Sequence, residues 1–386
     1  MNPKVRIFDT TLRDGEQTPG VHFTVDDKVA IARALEAFGV DTIEAGFPVS
    51  SPGDFEAVRR VAAEVTRAEV AALSRCRPDE AAVTADAIRH AAHPVLHMVM
   101  SVSDIHLDHK VRMSRAQAIQ AIQTSVTEAK RHIEDVEMSF EDAARADRIF
   151  LRQCAQTAVD AGATRVNIAD TVGAALPEEF GAMVADIVAF VPPSVIVSAH
   201  CHDDMGLATA NTVAAVRAGA RQIEVTVNGI GERAGNAAVE EVGVVLAMKG
   251  IAANGIDMTR VQPLSALVAE RSGVSVQPNH PVVGANAFAH SSGIHQDGVL
   301  KHPSNYAYVT PEMVGAEGHR MVLTARSGRK AVQHVARAMG MPIAPEDMRA
   351  VYDAFVRHAD DMQGPVSPEA LAEIIRRVTP KQPAAV

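Results

Sequence analysis

The residues with the clearest chemical potential are His200 and His202, which end an apolar stretch that begins at Val197. Side chains alternate between the two faces of a β-strand, so both imidazoles are predicted on one face, with Cys201 on the other. Two imidazoles about 7 Å apart at a strand end can bind one divalent metal ion. The alternative is two unrelated polar residues leaving a strand, and the surrounding elements decide between these interpretations.

The order of predicted elements favours one fold class, a (β/α)₈ TIM barrel followed by a small, mostly helical C-terminal appendage. Eight apolar, β-branched segments are predicted as strands, at 4–9, 41–46, 69–74, 95–102, 133–139, 165–169, 195–200 and 222–227. They alternate with eight segments predicted as helices, at 25–38, 53–66, 78–91, 114–131, 146–161, 177–190, 208–218 and 237–253. An open doubly wound sheet is the alternative, but the first turn, 9–16, lacks the glycine-rich phosphate-binding pattern of that fold.

The barrel predicts where chemistry lies, because the strands of such a fold all end on the face that carries the active site. Asp14, after the first strand, adds a carboxylate to His200 and His202, and the Asn236 carboxamide could complete the set. Mixed nitrogen and oxygen ligation suits a catalytic Mg²⁺, Mn²⁺ or Zn²⁺ ion. For Asp14 the alternative is a helix cap or an ion pair with Arg13.

Other strand-end residues are candidates for catalysis or substrate binding. Arg13 could polarise a carbonyl oxygen beside the metal, or be a surface arginine. Glu137 is predicted at a buried strand end, where it either pairs with Arg13 or has a raised pKa that suits acid–base catalysis. Thr171 could donate to a substrate carboxylate or cap a helix. Three more residues are predicted to line the substrate pocket: His97, Ser139 and Asn167.

The alternation of strands and helices stops after residue 255. We predict three regions: a TIM-barrel catalytic domain at 1–257, a linker and lid subdomain at 258–325, and a helical C-terminal subdomain at 326–386. The last region is predicted to contain helices at 330–340, 345–359 and 367–377. The middle region includes a glycine- and histidine-rich segment, 284–302, that could close over the barrel mouth or be an ordinary surface loop.

Composition limits the classes of partner. A net charge of −10 disfavours nucleic acid, which needs a basic binding face. The apolar runs are too short to span a bilayer, so no membrane association is expected. Three cysteines, odd in number and far apart in the sequence, argue against a disulfide framework. The sequence therefore predicts a cytoplasmic protein that acts on small molecules.

Three motifs resemble those of the DRE-TIM metallolyase family. The segment Asp9–Gln17, DTTLRDGEQ, resembles the signature that names the family. His200–Ala208 and Asn228–Asn236 resemble the two signatures of its 2-isopropylmalate synthase and homocitrate synthase branch. The resemblance extends over essentially the whole chain. It implies a metal-dependent Claisen condensation of acetyl-CoA with a 2-oxo acid, followed by hydrolysis of the thioester.

The resemblance also implies roles for individual residues. By motif match, the metal would be held by Asp14, His200 and His202, with Asn236 near it. Arg13 would polarise the keto group, Thr171 would bind the carboxylate, and Glu137 would sit near the reacting carbon. In the family, a histidine and a tyrosine of the partner subunit reach the acetyl group, and the matching positions are His295 and Tyr306. The active unit would then be a homodimer with shared active sites. His295 is the better candidate base because imidazole titrates near neutrality, and Glu137 is second.

Within the branch, segments such as Phe288–Lys301 favour the 2-isopropylmalate synthases, for which 2-oxoisovalerate would be the preferred 2-oxo acid. Typical members continue into a C-terminal regulatory domain, and this sequence ends before one, as a shortened piece or a natural short paralogue would. A homocitrate synthase acting on 2-oxoglutarate, or a citramalate or other alkylmalate synthase, remains an alternative. A lyase similar to hydroxymethylglutaryl-CoA lyase is the alternative class. Such lyases usually place a catalytic cysteine in a late loop, whereas no cysteine follows Cys201 here.

Overall fold

The first part of the chain folds into a closed barrel of eight parallel strands, in which each strand neighbours the next along the chain. This architecture comes from a computed structural model that describes residues 4–379. The strands are β1 (Arg6–Asp9), β2 (Thr42–Glu44), β3 (Glu69–Arg75), β4 (Pro94–Ser101), β5 (Asp135–Glu141), β6 (Arg165–Asp170), β7 (Ile196–Cys201) and β8 (Gln222–Val225). The predicted TIM barrel is confirmed.

Helices connect successive strands and cover the outside of the barrel. They are α1 (Val25–Phe38), α2 (Pro52–Glu64), α3 (Pro78–Ile88), α4 (Asp104–His106), α5 (Arg115–Ala129), α6 (Arg148–Asp160), α7 (Pro177–Phe190), α8 (Ala208–Arg217), α9 (Val239–Met248) and α10 (Val261–Ser272). The single-turn helix α4 is followed by a π-helical turn, Leu107–Val111, in the connection between β4 and α5.

Local sequence signals explain where α1 begins and ends. The Thr24 side chain accepts a hydrogen bond from the Asp27 amide, and the Asp27 carboxylate accepts one from the Thr24 amide, which forms a capping box. The helix ends at Gly39, whose φ of 97° lies in the left-handed region that glycine adopts without strain. These caps fix α1 relative to the loop that follows β1.

Polar side chains fill much of the barrel interior near the carboxyl ends of the strands. In the strand register His97 lies opposite Glu137, and Ser139 lies opposite Asn167. Inward-facing positions on one strand are two residues apart, so Glu137 and Ser139 belong to successive interior layers. Ser139 is in the layer nearer the carboxyl ends, which we call the upper layer, and Glu137 is in the lower layer.

A second compact unit begins at Gln277. Its elements are the two parallel strands β9 (Ala289–His290) and β10 (Arg320–Met321), and the helices α11 (Gly293–Lys301), α12 (Arg329–Ala338), α13 (Met348–Asp360) and α14 (Pro368–Val378). Apolar side chains from the last three helices, including Val332, Phe355 and Leu371, form its buried core. The helical appendage expected after the barrel is thus present.

The compact units do not settle the three regions predicted from sequence. The first unit ends at Val276 and includes α10, and the second continues from Gln277. The boundaries near 257 and 325 stay predictions, and residues 380–386 of the third region lie outside the described residues. Within residues 4–379, no helix is long and apolar enough to cross a membrane.

Candidate active site and metal centre

A cavity of about 1010 Å³ lies at the carboxyl ends of the barrel strands. Eight of the residues that the sequence nominated line it: Arg13, Asp14, His97, Ser139, Asn167, Thr171, His200 and His202. They come from five different strands or the loops that follow them. The fold therefore gathers into one cavity side chains that are as much as 189 positions apart, from Arg13 to His202.

Asp14, His200 and His202 form a compact, buried cluster. One potential ligand atom from each residue lies within 4.8 Å of those of the other two. Oδ2 of Asp14 is 3.3 Å from Nε2 of each histidine. The two Nε2 atoms are 3.0 Å apart. One carboxylate oxygen and two imidazole nitrogens thus converge on a single point at the end of the barrel.

The surroundings of this cluster fit a divalent metal ion. Nδ1 of His200 lies 2.9 Å from Glu224 Oε2, and a proton on Nδ1 leaves the lone pair of Nε2 directed toward Asp14. Asp14 Oδ2 and Asn236 Oδ1 are buried atoms without a hydrogen-bond partner within the described chain. Residues His202 and Asn236 are also bridged through their backbones. Unpaired buried acceptors of this kind are satisfied by a cation.

Electrostatics keep the Asp14 carboxyl ionised. Burial raises its pKa, but Arg13 and the nearby imidazoles of His200 and His202 outweigh burial and hold the pKa well below its usual range. Burial lowers the pKa of His200, whereas the nearby Asp14 and Glu224 carboxylates raise it to about 9. Protons and a metal ion would compete for the same lone pairs, so metal binding here should release protons.

Arg13 lies between two carboxylates at the cavity wall. Its Nε is 2.7 Å from Glu44 Oε2, and its Nη1 is 3.6 Å from Asp14 Oδ2. Burial raises the pKa of Glu44, but Arg13 and His97 outweigh burial and lower that pKa to about 2. The guanidinium is therefore fixed in position by a permanently ionised partner while its side chain lines the cavity.

A row of hydrogen bonds joins the predicted pocket residues. Nδ1 of His97 lies 2.7 Å from Glu44 Oε1, and its Nε2 lies 2.7 Å from Ser139 Oγ. Asn167 Nδ2 donates to the same Ser139 oxygen at 2.7 Å. Asn167 Oδ1 is buried and has no partner among the described residues. The row leaves an acceptor on a residue that lines the cavity.

Thr171 does not cap the helix that follows it. Its Oγ1 accepts a hydrogen bond from the Asp142 amide at 2.8 Å, which leaves the hydroxyl proton available as a donor. The residue that caps the following helix α7 is Leu176. Thr171 lines the cavity.

Of the two alternatives predicted for Glu137, the structure agrees with a raised pKa and not with a pair to Arg13. Glu137 does not line the cavity, and Arg13 pairs with Glu44 instead. Gln222 Nε2 donates to both Glu137 oxygens, at 2.8 and 2.9 Å. Burial and the charge of Glu224 raise the pKa of Glu137 to about 7. The carboxyl lies one interior layer below Ser139, which lines the cavity, and a catalytic role for Glu137 stays a prediction.

Three acidic residues at the site were given no role in the sequence analysis. Glu44 positions Arg13, while Glu224 contacts His200 and lines the cavity. Glu141 also lines the cavity, where its carboxylate accepts hydrogen bonds from Ser101 and Lys110. The signal that could have identified Glu141 is the period of two along β5, since it follows Ser139 by two positions and so faces the same side.

His295 and Tyr306 belong to the second unit and contact each other there. Their ring centroids are 4.3 Å apart, with the ring planes inclined by 37°. Gly298 makes this contact possible, because a Cβ at that position would lie 2.4 Å from Tyr306 Cε2. The two residues nominated together from the sequence therefore form one pair.

Comparison with known proteins identifies families for both units. Residues 4–268 match the HMGL-like family, and residues 282–363 match the homocitrate synthase post-HMGL domain-like family. The chain is 48% identical over 365 residues to a 2-isopropylmalate synthase of Pelotomaculum thermopropionicum, covering 93% of this chain and 72% of the relative. It is 44% identical over 362 residues to a 2-isopropylmalate synthase of Listeria monocytogenes, covering 92% and 71%.

Solved structures that resemble the chain share its barrel. A hydroxymethylglutaryl-CoA lyase from Pseudomonas aeruginosa superimposes with a TM-score of 0.63 at 22% identity, covering 71% of this chain and 95% of the lyase. At that identity the likeness speaks for the fold alone. The sequence matches decide the family, because they are strong and extend over both units. The chain belongs to the HMGL-like family, in the branch that contains the 2-isopropylmalate synthases.

Proposed function

We propose that this chain is an acyltransferase that condenses acetyl-CoA with a 2-oxo acid, preferring 2-oxoisovalerate, and releases 2-isopropylmalate and CoA. The observation that carries the proposal is the buried Asp14, His200 and His202 cluster, which lines one large cavity together with Arg13. Relatives at 44–48% identity that bear the name 2-isopropylmalate synthase support the choice of reaction.

A divalent ion, Mg²⁺, Mn²⁺ or Zn²⁺, bound by Asp14, His200 and His202 with Asn236 beside them, would supply Lewis-acid polarisation of a keto oxygen. Arg13 adds a fixed positive charge that stabilises the alkoxide formed when the keto carbon is attacked. Because Glu44 already holds the guanidinium in place, little reorganisation is needed at the moment of reaction.

The pocket residues orient the 2-oxo acid. The Thr171 hydroxyl donates to its carboxylate, while His97, Ser139 and Asn167 line the space for its side chain. Apolar residues Leu73 and Val99 also line this cavity, which suits a branched aliphatic side chain. The basic side chains that line the cavity each have a carboxylate partner: Arg13, Arg75, Arg77, Lys110 and Arg233. This pairing favours 2-oxoisovalerate over the doubly charged 2-oxoglutarate.

We assign proton transfer from the acetyl group to His295, with Tyr306 beside it. A base removes one proton from the acetyl methyl, and the resulting carbanion equivalent forms a carbon–carbon bond to the keto carbon. The alkoxide then takes up a proton, and water cleaves the thioester to give the free acid and the CoA thiol. The contact between the two rings supports their acting as a pair.

We further propose a homodimer in which each active site receives His295 and Tyr306 from the partner subunit. Complementation tests this arrangement, with Asp14→Ala and His295→Ala chains that are each inactive. Mixing and reassociating them should restore about a quarter of the parental sites, because random pairing forms half heterodimers with one intact site each. Mixed dimers with no activity would contradict shared sites.

Three buried, unpaired cysteines support a reducing, cytoplasmic location.

Release of free CoA, followed with a thiol reagent, tests the reaction itself. Purified protein receives acetyl-CoA, Mg²⁺ or Mn²⁺, and in turn 2-oxoisovalerate, 2-oxoglutarate and pyruvate. The proposal expects the highest kcat/KM with 2-oxoisovalerate. Preference for 2-oxoglutarate would reassign the chain as a homocitrate synthase, and preference for pyruvate as a citramalate synthase. If no 2-oxo acid gives CoA release although metal is bound, the result would favour a lyase reaction that cleaves a carbon–carbon bond.

A further inference from the structure

Lys28 is a buried, positively charged residue that contacts the loop carrying Arg13 and Asp14. Its side chain is 1% exposed, although it belongs to α1 on the outside of the barrel. Nζ lies 2.5 Å from Glu16 Oε2 and 3.6 Å from Asp54 Oδ1. It also donates to the Leu12 carbonyl at 3.1 Å. Three oxygen atoms from three separate chain positions therefore surround one ammonium group.

Two of these contacts bracket the residues that face the cavity. Leu12 directly precedes Arg13, and Glu16 follows Asp14 by two positions. The third contact, Asp54, lies in the first turn of α2 and anchors the ammonium from the opposite side. The five-residue stretch from Leu12 to Glu16, which carries Arg13 and Asp14, thus contacts the Lys28 ammonium group at both ends.

The backbone is shaped to admit this ammonium group. Gly46 has a φ of +151°, and a Cβ there would lie 3.2 Å from Lys28 Nζ. A side chain at that position would crowd the ammonium group. Burial of a lysine is costly unless its charge is fully compensated, and two carboxylates and a carbonyl supply that compensation here.

We propose that Lys28 is a positioning residue for the metal centre. By holding Leu12 and Glu16, it fixes the loop in which the Asp14 carboxylate meets His200 and His202. The inference rests on the proposed function, since it assigns Lys28 a role toward the metal. Loss of the ammonium would release the loop and misplace Asp14, as loss of an outer contact does in other metal sites.

Metal affinity is the appropriate readout, because a purely structural role for Lys28 would leave it unchanged in a folded chain. We would titrate Mn²⁺ into the full chain and its Lys28→Met variant, following free Mn²⁺ by electron paramagnetic resonance. The matched control is Arg33→Met. Arg33 lies on the same helix and also links α1 to α2, through Glu64 at 2.5 Å. It is exposed and, among the described residues, forms no hydrogen bond or ion pair with the loop at 12–16.

The expected result is a rise in the Mn²⁺ Kd of about ten- to hundredfold for Lys28→Met. Arg33→Met should stay within about twofold, the ordinary range for an exposed ion pair. If Lys28→Met does not fold, Glu16→Gln takes its place. It keeps the side-chain shape, removes the charge that binds the ammonium, and should raise the Kd about three- to tenfold.

Two results would contradict the positioning role of Lys28. Folded Lys28→Met, or folded Glu16→Gln in its place, with a Kd within twofold of the parent would refute the positioning role and leave the proposed reaction untouched. A parent chain that binds no Mn²⁺, Mg²⁺ or Zn²⁺ would refute both the metal-dependent function and the positioning role of Lys28. The parent titration therefore separates the two failures.

Discussion

The two polar layers inside the barrel are both ionic, yet they leave different atoms without hydrogen-bond partners. In the lower layer, Gln222 satisfies both oxygens of Glu137, and Arg165 binds the Glu69 and Asp135 carboxylates. What stays unpaired there is a donor, Nε of Arg165.

In the upper layer and the loops that adjoin it, the unpaired oxygen atoms are acceptors, and Nδ1 of His202 is unpaired as well. The oxygen atoms include Asp14 Oδ2, Glu224 Oε1 and Asn236 Oδ1. Unpaired lone pairs beside a cavity attract a cation, whereas a closed set of ion pairs holds strands together. The difference teaches that buried charge alone does not mark an active site. The kind of atom left unsatisfied, and its access to a cavity, separate function from framework.

The largest expected effect is on the upper layer, from His202→Ala. The variant loses one of three metal ligands, so kcat/KM should fall about 10⁴-fold, equivalent to about 5.5 kcal/mol, as Lewis acid and template are lost together. CoA release and metal content measured on the same preparation test this, with circular dichroism as the check on folding. Parental turnover at full metal occupancy would mean that the upper layer is not the metal centre.

In the lower layer, Arg165→Met should act on stability instead. Arg165 is buried, whereas its partners Glu69 and Asp135 are partly exposed, and Glu69 keeps its ion pair with Arg6. Loss of the guanidinium and its hydrogen bonds should therefore cost about 2–3 kcal/mol. The midpoint of guanidinium unfolding should fall, while the Mn²⁺ Kd of the folded variant should stay near that of the parent. A large loss of metal affinity with little loss of stability would reverse the roles that we give to the two layers.

A smaller effect is expected where the upper layer supports a ligand. Glu224→Gln keeps an acceptor near Nδ1 of His200 but removes the charge that strengthens this contact. The metal Kd should rise about ten- to hundredfold, equivalent to about 1.4–2.8 kcal/mol. Calorimetric titration of metal into parent and variant measures the change. An unchanged Kd would show that His200 keeps its orientation without the carboxylate.

The smallest effect concerns pH and the lower layer. The pKa of Glu137 is raised from 4.5 to about 7 in the folded chain. Between those values the folded chain keeps a proton that the unfolded chain has lost, so this stabilising contribution declines as pH rises through about 7. Glu137→Gln lacks the titration. The difference in unfolding free energy between parent and variant should therefore change by about 1–2 kcal/mol between pH 6 and pH 8. A constant difference would refute the raised pKa.

The barrel could be predicted because strand and helix patterns alternate without interruption, and the fold then locates the active face. The interior layer in which each residue lies could not be predicted from the sequence. Strand 5 was predicted at 133–139 but runs from Asp135 to Glu141. Along a strand the period of two puts Glu137, Ser139 and Glu141 on the same side. Because the predicted strand ended two residues too early, Glu137 was placed at the cavity, one layer above its position in the structure.

Side-chain partners across the barrel were equally beyond the sequence. Glu44 and Glu224 are separated by 180 positions and lie within strands rather than in the loops, where chemistry was expected. Only the closed register brings Glu44 to Arg13 and Glu224 to His200. The glycines show the same limit, since the need for Gly298 beside Tyr306 follows from a close approach in space.

The three buried cysteines have a practical consequence. Burial raises the pKa of all three thiols, that of Cys154 to about 12, so almost no thiolate forms at neutral pH. Thiolate is the reactive form, so a thiol reagent added to the folded chain should count released CoA with almost no background from the protein. The same reagent in denaturant should count three equivalents per chain. The same thiol reagent therefore measures CoA release in native buffer and unfolding of the chain in denaturant.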